Sequence, residues 1–326
     1  MISVSASYMK AVLILLTSAA AGAAFAQAPA YPSKSIRMVI ALAPGGGTDT
    51  AGRLIGQKLS QMWGVPVVAD NRPGAGGSIA SDLVAKAPPD GYTILTNSSG
   101  ITITPSLMKI GYDAHKDLLP VTMAFLSPGV MVVHPSVPAK NVKELIAFAR
   151  TRPNELFYSS SGLGSAQHLS MALFCQMTGL KMTHVPYKGT APSILDVVAG
   201  RIAVTVASVV STRPMFTTGK LRALATVGNK RTPALPEYPT VAESGLPGFG
   251  VDQWYGVFLP GGTSKEIANK LQEAVAKIVL EPETRKTSLA QGMDSVGNSQ
   301  AEFAAMYASE IARWAKVVKA LGLEPM

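Results

Sequence analysis

The amino-acid sequence predicts an α/β protein built of two lobes, and three observations lead to that fold class. The chain has 326 residues, which is long for one core and fits two domains of about 150 residues each. Strand-like and helix-like segments alternate from residue 35 onward, which indicates βαβ units and a mostly parallel sheet. The same order of strand, glycine-containing loop and helix then occurs a second time. We therefore expect two similar α/β lobes.

The first block of alternating elements begins at residue 36. Its predicted strands are Ile36 to Leu42, Val65 to Val68 and Thr93 to Thr96. The helix after the first strand has apolar residues at helical spacing, and we expect Thr48 or Asp49 to cap its N-terminus. A second helix is predicted to begin near Ser78.

The second block repeats this order from residue 156. Its predicted strands are Leu156 to Ser159, Met182 to Val185 and Ile202 to Val206. Glycine-containing loops follow the first two strands and lead into predicted helices, one through His168, Leu169, Leu173 and Met177 and one from about Ala191. The loops of both blocks therefore occupy equivalent positions after strand ends.

Two further short strands, Val130 to His134 and Val251 to Leu259, are expected to cross between the lobes. Two crossings form a hinge, and a hinge between lobes creates a cleft that can close on a ligand. The terminal helices, Ile267 to Val279 and Phe303 to Leu321, are expected to pack on the first lobe. The predicted first lobe is thus residues 27–128 plus 252–326, and the second is residues 129–251.

The first 26 residues have the parts of a secretory signal peptide. Lys10 precedes the apolar run Ala11 to Leu16, and small residues lead to an Ala-x-Ala site that ends at Ala26. A membrane anchor is the alternative, but the strongly apolar part is shorter than the roughly 20 residues that a membrane span needs. We therefore expect an exported protein that is cleaved after Ala26.

Charge and cysteine content exclude several classes of protein. The net charge is +9, or +8 once Lys10 leaves with the signal peptide, and the basic residues are scattered, which argues against a nucleic-acid partner. We expect a solvated basic surface with a mild attraction for anions. Cys175 is the one cysteine, so the chain has no intramolecular disulfide, and its apolar neighbours indicate a small core residue rather than a catalytic thiol.

The loops rich in glycine and serine carry the predicted binding chemistry. In open α/β sheets, ligands bind beyond the carboxyl ends of the strands, and each of these loops leads into a helix N-terminus, which favours an anion. The loop 44–49 lacks the Gly-Lys-Ser/Thr of a phosphate-binding P-loop, and the loop 74–77 does not fit the dinucleotide fingerprint. A plain structural turn is the alternative for either loop.

The histidines and serines give little support to an enzyme. The chain has four histidines, His115, His134, His168 and His184, and no pair has metal-ligand spacing on one helix, so we expect neither a metal nor a cofactor. The Gly-x-Ser-x-Gly motif of hydrolases is absent. We expect Ser165, three residues before His168, to cap a helix and bind ligand rather than to catalyse a reaction.

Several segments, taken in order, resemble one family over nearly the whole chain after residue 26. They are residues 31–34 (YPSK), 43–49 (APGGGTD), 70–77 (DNRPGAGG), 89–93 (PDGYT), 160–169 (SSGLGSAQHL), 184–189 (HVPYKG) and 239–245 (PTVAESG). The family is that of the tripartite tricarboxylate transporter substrate-binding receptors, also called Bug-type receptors. The resemblance implies a periplasmic protein with the type II periplasmic-binding-protein fold, a Venus flytrap of two α/β lobes joined by two crossing segments. We expect the protein to be a monomer.

The resemblance also implies a ligand site and partners. Ligand carboxylates would be held by loop N–H groups, hydroxyls and bridging water, and the receptor would deliver its ligand to a permease of one large and one small subunit. The implied contacts are Ala43, Gly45, Gly46, Thr48, Asp49, Ser98 and Ser99 in the first lobe, with Ser161, Gly164, Ser165, His168 and Tyr187 in the second.

The sequence departs from the family pattern after Gly200. Family members usually read Gln-Val-Asp-x-x-Phe-Asp-Asn there, whereas this chain has alanine in place of both acids, at Ala203 and Ala207, and Ser208 in place of the asparagine. Loss of an acid near the cleft would disfavour ligands with an ammonium group, so we expect a non-amino carboxylate, dicarboxylic or aromatic. The alternative is that both alanines serve core packing.

Two other functions are alternatives to a carboxylate receptor. A secreted α/β hydrolase needs a base-paired nucleophile, which the scarce histidines do not favour. A sensor that signals ligand binding to a partner uses the same closing cleft, so the sequence leaves it open.

Overall fold

The computed structural model describes residues 31–320 and residue 322. The predicted signal peptide, residues 1–26, lies outside the described residues. Within them the chain forms two β-sheets with helices packed on their faces, so the α/β fold class predicted from the sequence is confirmed. No described helix combines the length and the apolar character needed to cross a bilayer.

The strands follow one another along the chain with helices between most of them. The strands are β1 (Ile36–Ile40), β2 (Val67–Asn71), β3 (Thr93–Ser98), β4 (Leu118–Leu126), β5 (Gly129–Val133), β6 (Phe157–Ser160), β7 (Thr183–Pro186), β8 (Val204–Ser208), β9 (Arg222–Thr226), β10 (Trp254–Pro260) and β11 (Asp294–Ser295). The helices are α1 (Gly47–Trp63), α2 (Ser78–Ala85), α3 (Thr104–Leu107), α4 (Val142–Arg150), α5 (Ala166–Thr178), α6 (Thr190–Val198), α7 (Val209–Thr217), α8 (Lys265–Leu280), α9 (Pro282–Ala290) and α10 (Gln300–Ala320).

The first sheet has the strand order β11-β4-β10-β3-β1-β2. Strand β1 pairs in parallel with β2 and β3, and β10 pairs antiparallel with β3 and β4. Because helices cover both faces, β1 is almost wholly buried and is apolar at every position except Arg37. This sheet and its helices are called the first lobe below.

The second sheet has the strand order β7-β6-β8-β5-β9. Strand β6 pairs in parallel with β7 and β8, and β5 pairs antiparallel with β8 and β9. This sheet and its helices are called the second lobe. The predicted bounds of the lobes, residues 27–128 plus 252–326 and residues 129–251, stay a prediction.

The first crossing lies just before the predicted strand Val130 to His134, and the second lies within the predicted stretch Val251 to Leu259. Strand β5 belongs wholly to the second sheet and β10 wholly to the first. The chain passes between the sheets at Ser127 and Pro128, just before β5, and at Asp252 and Gln253, just before β10. The predicted stretch Val251 to Leu259 therefore contains the second crossing at its start, whereas Val130 to His134 follows the first crossing and pairs within one sheet.

Two predicted boundaries differ from the structure for local reasons. Strand β2 begins at Val67 and not at Val65, because Gly64 ends α1 in a left-handed conformation and Pro66 has no N–H to donate to a ladder. Helix α1 begins at Gly47 with Gly46 as its cap residue. Thr48 and Asp49 therefore lie in the first turn, and the prediction that one of them caps the helix was wrong.

The C-terminal helix α10 contacts both lobes. Its Phe303 ring lies 5.4 Å from the ring of Trp254 in the first lobe. Farther along, Trp314 belongs to the apolar cluster that holds Phe174 of α5, and the side-chain amide of Gln176 donates to the carbonyl of Ala320 at 3.1 Å. The prediction that α10 packs on the first lobe is therefore incomplete, because 21 residues of helix extend about 30 Å and reach the second lobe as well.

Candidate functional site

A small cavity lies between the loops that follow the strands of both sheets. Its lining residues are Leu42, Gly47, Thr48, Ser98, Ser99, Ser161, Ala166, Gln167, Thr190, Gln253 and Tyr255. Its volume is about 20 Å³, which is close to the room that one water molecule needs. The cavity therefore joins both lobes at the carboxyl ends of β1, β3 and β6, where α/β folds bind ligands.

Three helices begin at this cavity. Gly47, Ala166 and Thr190 are the first residues of α1, α5 and α6, and each of them lines the cavity. The first N–H groups of a helix have no partner within the helix, and the helix dipole places partial positive charge at this end. Helix N-termini from both lobes therefore converge on one space, which favours an anion.

The side chains around the cavity are hydroxyls and amides. Gln167 is held in place, because its Oε1 accepts from the N–H of Ser161 at 2.8 Å and its Nε2 donates to Oγ1 of Thr190 at 2.9 Å. By contrast, Oγ of Ser99 and Nε2 of Gln253 are buried without a hydrogen-bond partner among the described residues. Buried polar atoms nearly always have partners, so these two atoms are available to a ligand or to water.

Tyr255 closes the cavity beside the start of α1. A Cβ atom on Gly47 would lie 1.8 Å from the Tyr255 hydroxyl oxygen, so only glycine fits at this position. Burial raises the pKa of Tyr255, and hydrogen bonds with Ser127 and Ser208 act in the opposite direction. The phenol is therefore neutral near pH 7 and offers one O–H group.

No charged side chain lines the cavity within the described part of the chain. Asp49 is buried nearby, but its Oδ2 accepts from the N–H of Gly45 at 3.0 Å, and its Oδ1 accepts from Arg53 at 2.8 Å and Asn71 at 2.9 Å. The carboxylate thus holds the loop before α1 in shape. An anion in the cavity would be stabilised by dipoles and hydrogen bonds rather than by a cation.

His168 lies under the second-lobe loop and not in the cavity lining. Its Nδ1 accepts from the N–H of Gly164 at 3.3 Å, and its ring stacks on His184 with centroids 4.1 Å apart. Burial lowers the pKa of His168 to about 4, so the ring is neutral at pH 7. Oγ of Ser165 accepts from the backbone N–H of His168 at 3.2 Å, which is the predicted helix cap.

The structure brings some predicted contact residues to the cavity and leaves others outside it. Those that line it are Thr48, Ser98, Ser99 and Ser161. Those that do not are Ala43, Gly45, Gly46, Asp49, Gly164, Ser165, His168 and Tyr187. The Tyr187 hydroxyl donates to Asp196 instead. Ligand contact by any of these residues stays a prediction.

Residues that sequence reasoning missed are Leu42, Gly47, Ala166, Gln167, Thr190, Gln253 and Tyr255. The helix-start residues follow glycine- and serine-rich loops, so their positions could have been found from the predicted helix starts. Gln253 and Tyr255 carry no local signal of this kind.

The two alanines of the departing segment do not face the cavity. Ala207 is buried in an apolar cluster with Val130 and Val209, and Ala203 packs against the other cluster of the second lobe. Core packing is therefore the better account of both residues. Ser208, by contrast, lies beside Gly47, since a Cβ atom on Gly47 would be 3.0 Å from Oγ of Ser208.

Other parts of the surface offer less for recognition. A groove of about 610 Å³ lies between the C-terminal ends of α1 and α8, lined by Lys58, Gln61, Met62, Lys277, Ile278, Leu280 and Glu281. It lacks converging buried donors. No group of three or more His, Cys, Asp or Glu side chains in the described ranges is placed to hold a metal ion.

The chain is similar to known proteins over most of its length. Residues 51–323 match the family described as "Tripartite tricarboxylate transporter family receptor". Protein BugT of Bordetella pertussis is 35% identical over 318 residues, which are 96% of this chain and 97% of that protein.

Two solved structures from Rhodopseudomonas palustris share the fold. Rpa4515 with adipate has a TM-score of 0.88 and 39% identity, covering 91% of this chain and 100% of that one. MatC (Rpa3494) with bound malate has a TM-score of 0.83 and 30% identity, covering 88% and 100%. Both are structures of complexes with dicarboxylates.

Proposed function

Because this chain belongs to the family of tripartite tricarboxylate transporter receptors, which are periplasmic solute-binding proteins and not enzymes, we propose that it captures a small non-amino dicarboxylate. The observation that carries the proposal is the convergence of α1, α5 and α6 on one cavity. Their N-termini stabilise a carboxylate without a basic side chain.

The absence of acidic side chains among the described lining residues supports a ligand without an ammonium group. An amino acid brings a cation into the same space as the helix N-termini, and a buried cation needs a compensating partner. The adipate and malate bound to the two R. palustris relatives support a dicarboxylate of four to six carbons.

Ligand entry requires the lobes to separate. A cavity of about 20 Å³ is far too small for a dicarboxylate, and its lining comes from both lobes. The lobes therefore open by rotation at the crossing segments and close on the acid. In the proposed pathway the chain is exported to the periplasm, loses residues 1–26 and delivers the ligand, as a monomer, to a permease of one large and one small subunit.

Isothermal titration of the chain that lacks residues 1–26 tests the proposal. The ligands are succinate, malate, glutarate, adipate and suberate, with aspartate and glutamate as amino counterparts. We expect at least one dicarboxylate to bind and both amino acids to bind at least about tenfold more weakly. NMR spectra after incubation should show the ligand unchanged. Tight binding of aspartate or glutamate would reject the proposal that the ligand lacks an amino group. If none of the acids binds, the proposal of a carboxylate receptor is rejected.

A further inference from the structure

Gln253 occupies an unusual position, because it belongs both to the hinge and to the cavity lining. It lies in the second crossing, directly before β10. Its carbonyl oxygen accepts from the N–H of Ser127 in the first crossing at 2.8 Å. The backbone of Gln253 therefore ties the two crossings together.

The side chain of Gln253 lies against the start of the second lobe. A Cβ atom on Gly129 would be 2.5 Å from Nε2 of Gln253 and 2.7 Å from Cγ2 of Val227. Glycine at position 129 thus makes room for the amide. Because Gly129 is the first residue of β5, a movement of this amide would change its packing against the start of that strand.

The amide of Gln253 is buried and unsatisfied. The residue is 5% exposed, lines the cavity, and its Nε2 has no hydrogen-bond partner among the described residues. A buried donor without a partner costs free energy, so a residue of this kind indicates a partner that arrives from outside. Ser99, which is 1% exposed, lines the same cavity, and its Oγ also has no hydrogen-bond partner among the described residues.

We propose that Gln253 is the hinge residue that recognises the ligand. Its Nε2 donates to an oxygen of the second carboxylate, while the helix N-termini hold the first carboxylate. The inference rests on the proposed function and deepens it. It assigns the preference for dicarboxylates over monocarboxylates to one side chain. The backbone carbonyl of Gln253 also accepts from the N–H of Ser127 in the other crossing. A ligand that binds Gln253 therefore contacts the hinge directly and favours its closed arrangement.

The test uses variants Q253M and Q253E, with Q272E as a matched control. Methionine keeps the length of the side chain and removes the donor, whereas glutamate replaces the donor with an anion. Gln272 is a half-buried glutamine of α8 whose amide donates to the carbonyl of Asn298, remote from the cavity lining. Thermal unfolding without ligand identifies any variant that does not fold, and Q253M decides the outcome if Q253E does not.

Affinity is measured for the dicarboxylate that the unchanged protein binds most tightly among succinate, glutarate, adipate and suberate, and for the monocarboxylate of equal carbon number. We expect Q253M to weaken dicarboxylate binding by about 10-fold or more and monocarboxylate binding by less than about threefold. Q253E should weaken dicarboxylate binding further, because like charges repel. Q272E should bind as the unchanged protein does.

The possible outcomes separate this inference from the proposed function. If the unchanged protein binds no dicarboxylate, both are overturned. If it binds a dicarboxylate and Q253M binds equally well, only the role of Gln253 is overturned. If Q253M loses affinity for both acids to the same extent, Gln253 is a structural residue and the inference is also wrong. A lost preference for two carboxylates supports it.

Discussion

The backbone N–H of Ser127 donates to the carbonyl oxygen of Gln253 at 2.8 Å, and this bond joins the two segments that connect the lobes. Further backbone hydrogen bonds follow in the second lobe. The N–H of Val227 donates to the carbonyl oxygen of Gly129 at 2.9 Å, and the N–H of Val251 donates to the carbonyl oxygen of Val227 at 2.8 Å. The crossings therefore form one narrow, hydrogen-bonded strip. Rotation of the lobes has to occur about this strip or disrupt it.

Replacement of Ser127 by proline should weaken the hinge. The Ser127→Pro variant has no N–H at this position, which leaves the Gln253 carbonyl without its donor, and we expect the free energy of unfolding to fall by about 1–3 kcal/mol. Urea unfolding measures the change. The control is Ser127→Ala, which removes only the hydroxyl. Equal stability of the two variants would show that the bond between the crossings contributes little.

Replacement of Ser99 by alanine should separate binding from stability. Because Oγ of Ser99 has no partner among the described residues, its removal should leave the free energy of unfolding within about 0.5 kcal/mol, while dicarboxylate affinity falls about tenfold. The control is Ser170→Ala in α5, where Oγ donates to the Ala166 carbonyl at 2.7 Å. That variant should lose about 1 kcal/mol of stability and keep its affinity. The reverse pattern would count against a ligand role for Ser99.

Stability should fall in mild acid because of two stacked histidines. Burial lowers the pKa of His168 to about 4, and burial with the neighbouring His168 ring lowers the pKa of His184 to about 3. A histidine in the unfolded chain titrates near 6.5, so the unfolded state binds more protons between pH 6.5 and about 4. The free energy of unfolding therefore decreases as pH falls through that window, by about 1.4 kcal/mol for each unit of pKa difference.

Urea unfolding between pH 7 and pH 4.5 measures this dependence. Carboxylates also titrate toward the acid end of this range, so the comparison is with His168→Gln, which cannot be protonated there. We expect the variant to lose less stability than the unchanged protein over the same interval. Parallel curves for both proteins would contradict the assignment to His168.

Cys175 should be unreactive in the folded protein. Burial raises the pKa of its thiol to about 12, and the thiolate is the reactive form. At pH 8 we expect a thiol-specific disulfide reagent to label Cys175 only as the protein unfolds in urea. A cysteine placed at the exposed Ser309 (Ser309→Cys) provides the control for a reactive thiol. Rapid labelling of the native, unchanged protein would contradict the raised pKa of the Cys175 thiol.

Much of the fold could be predicted from local sequence. The structure places strands β1, β3, β5 and β6 within two residues of the prediction. Strand β4 was missed because Pro120 interrupts its pattern. In the structure Pro120 lies opposite Phe258 next to a register shift, where a missing N–H is tolerated. Strand β9 was missed because alanine is a weak strand former.

The site could be predicted only in part, because it depends on contacts between distant parts of the chain. Ser98 ends β3, Ser99 and Ser161 directly follow β3 and β6, and Thr48 lies in the first turn of the helix after β1. The rule for open α/β sheets therefore places all four at the cavity. Tyr255 reaches it because β10 inserts beside β3, with Tyr255 opposite Ser98. No sequence feature near residue 255 predicts that it pairs with residue 98.

The insertion of β10 between β3 and β4 also bears on the order in which the lobes can assemble as a chain emerges from its N-terminus. All five strands of the second sheet come from residues 129–226, whereas the first sheet lacks a central strand until residues 254–260 have emerged. A chain that crosses a membrane from its N-terminus would expose the unpaired edges of β3 and β4 while the second lobe is still emerging. Exposed strand edges attract other chains, so the first lobe is the part whose assembly most needs protection from aggregation.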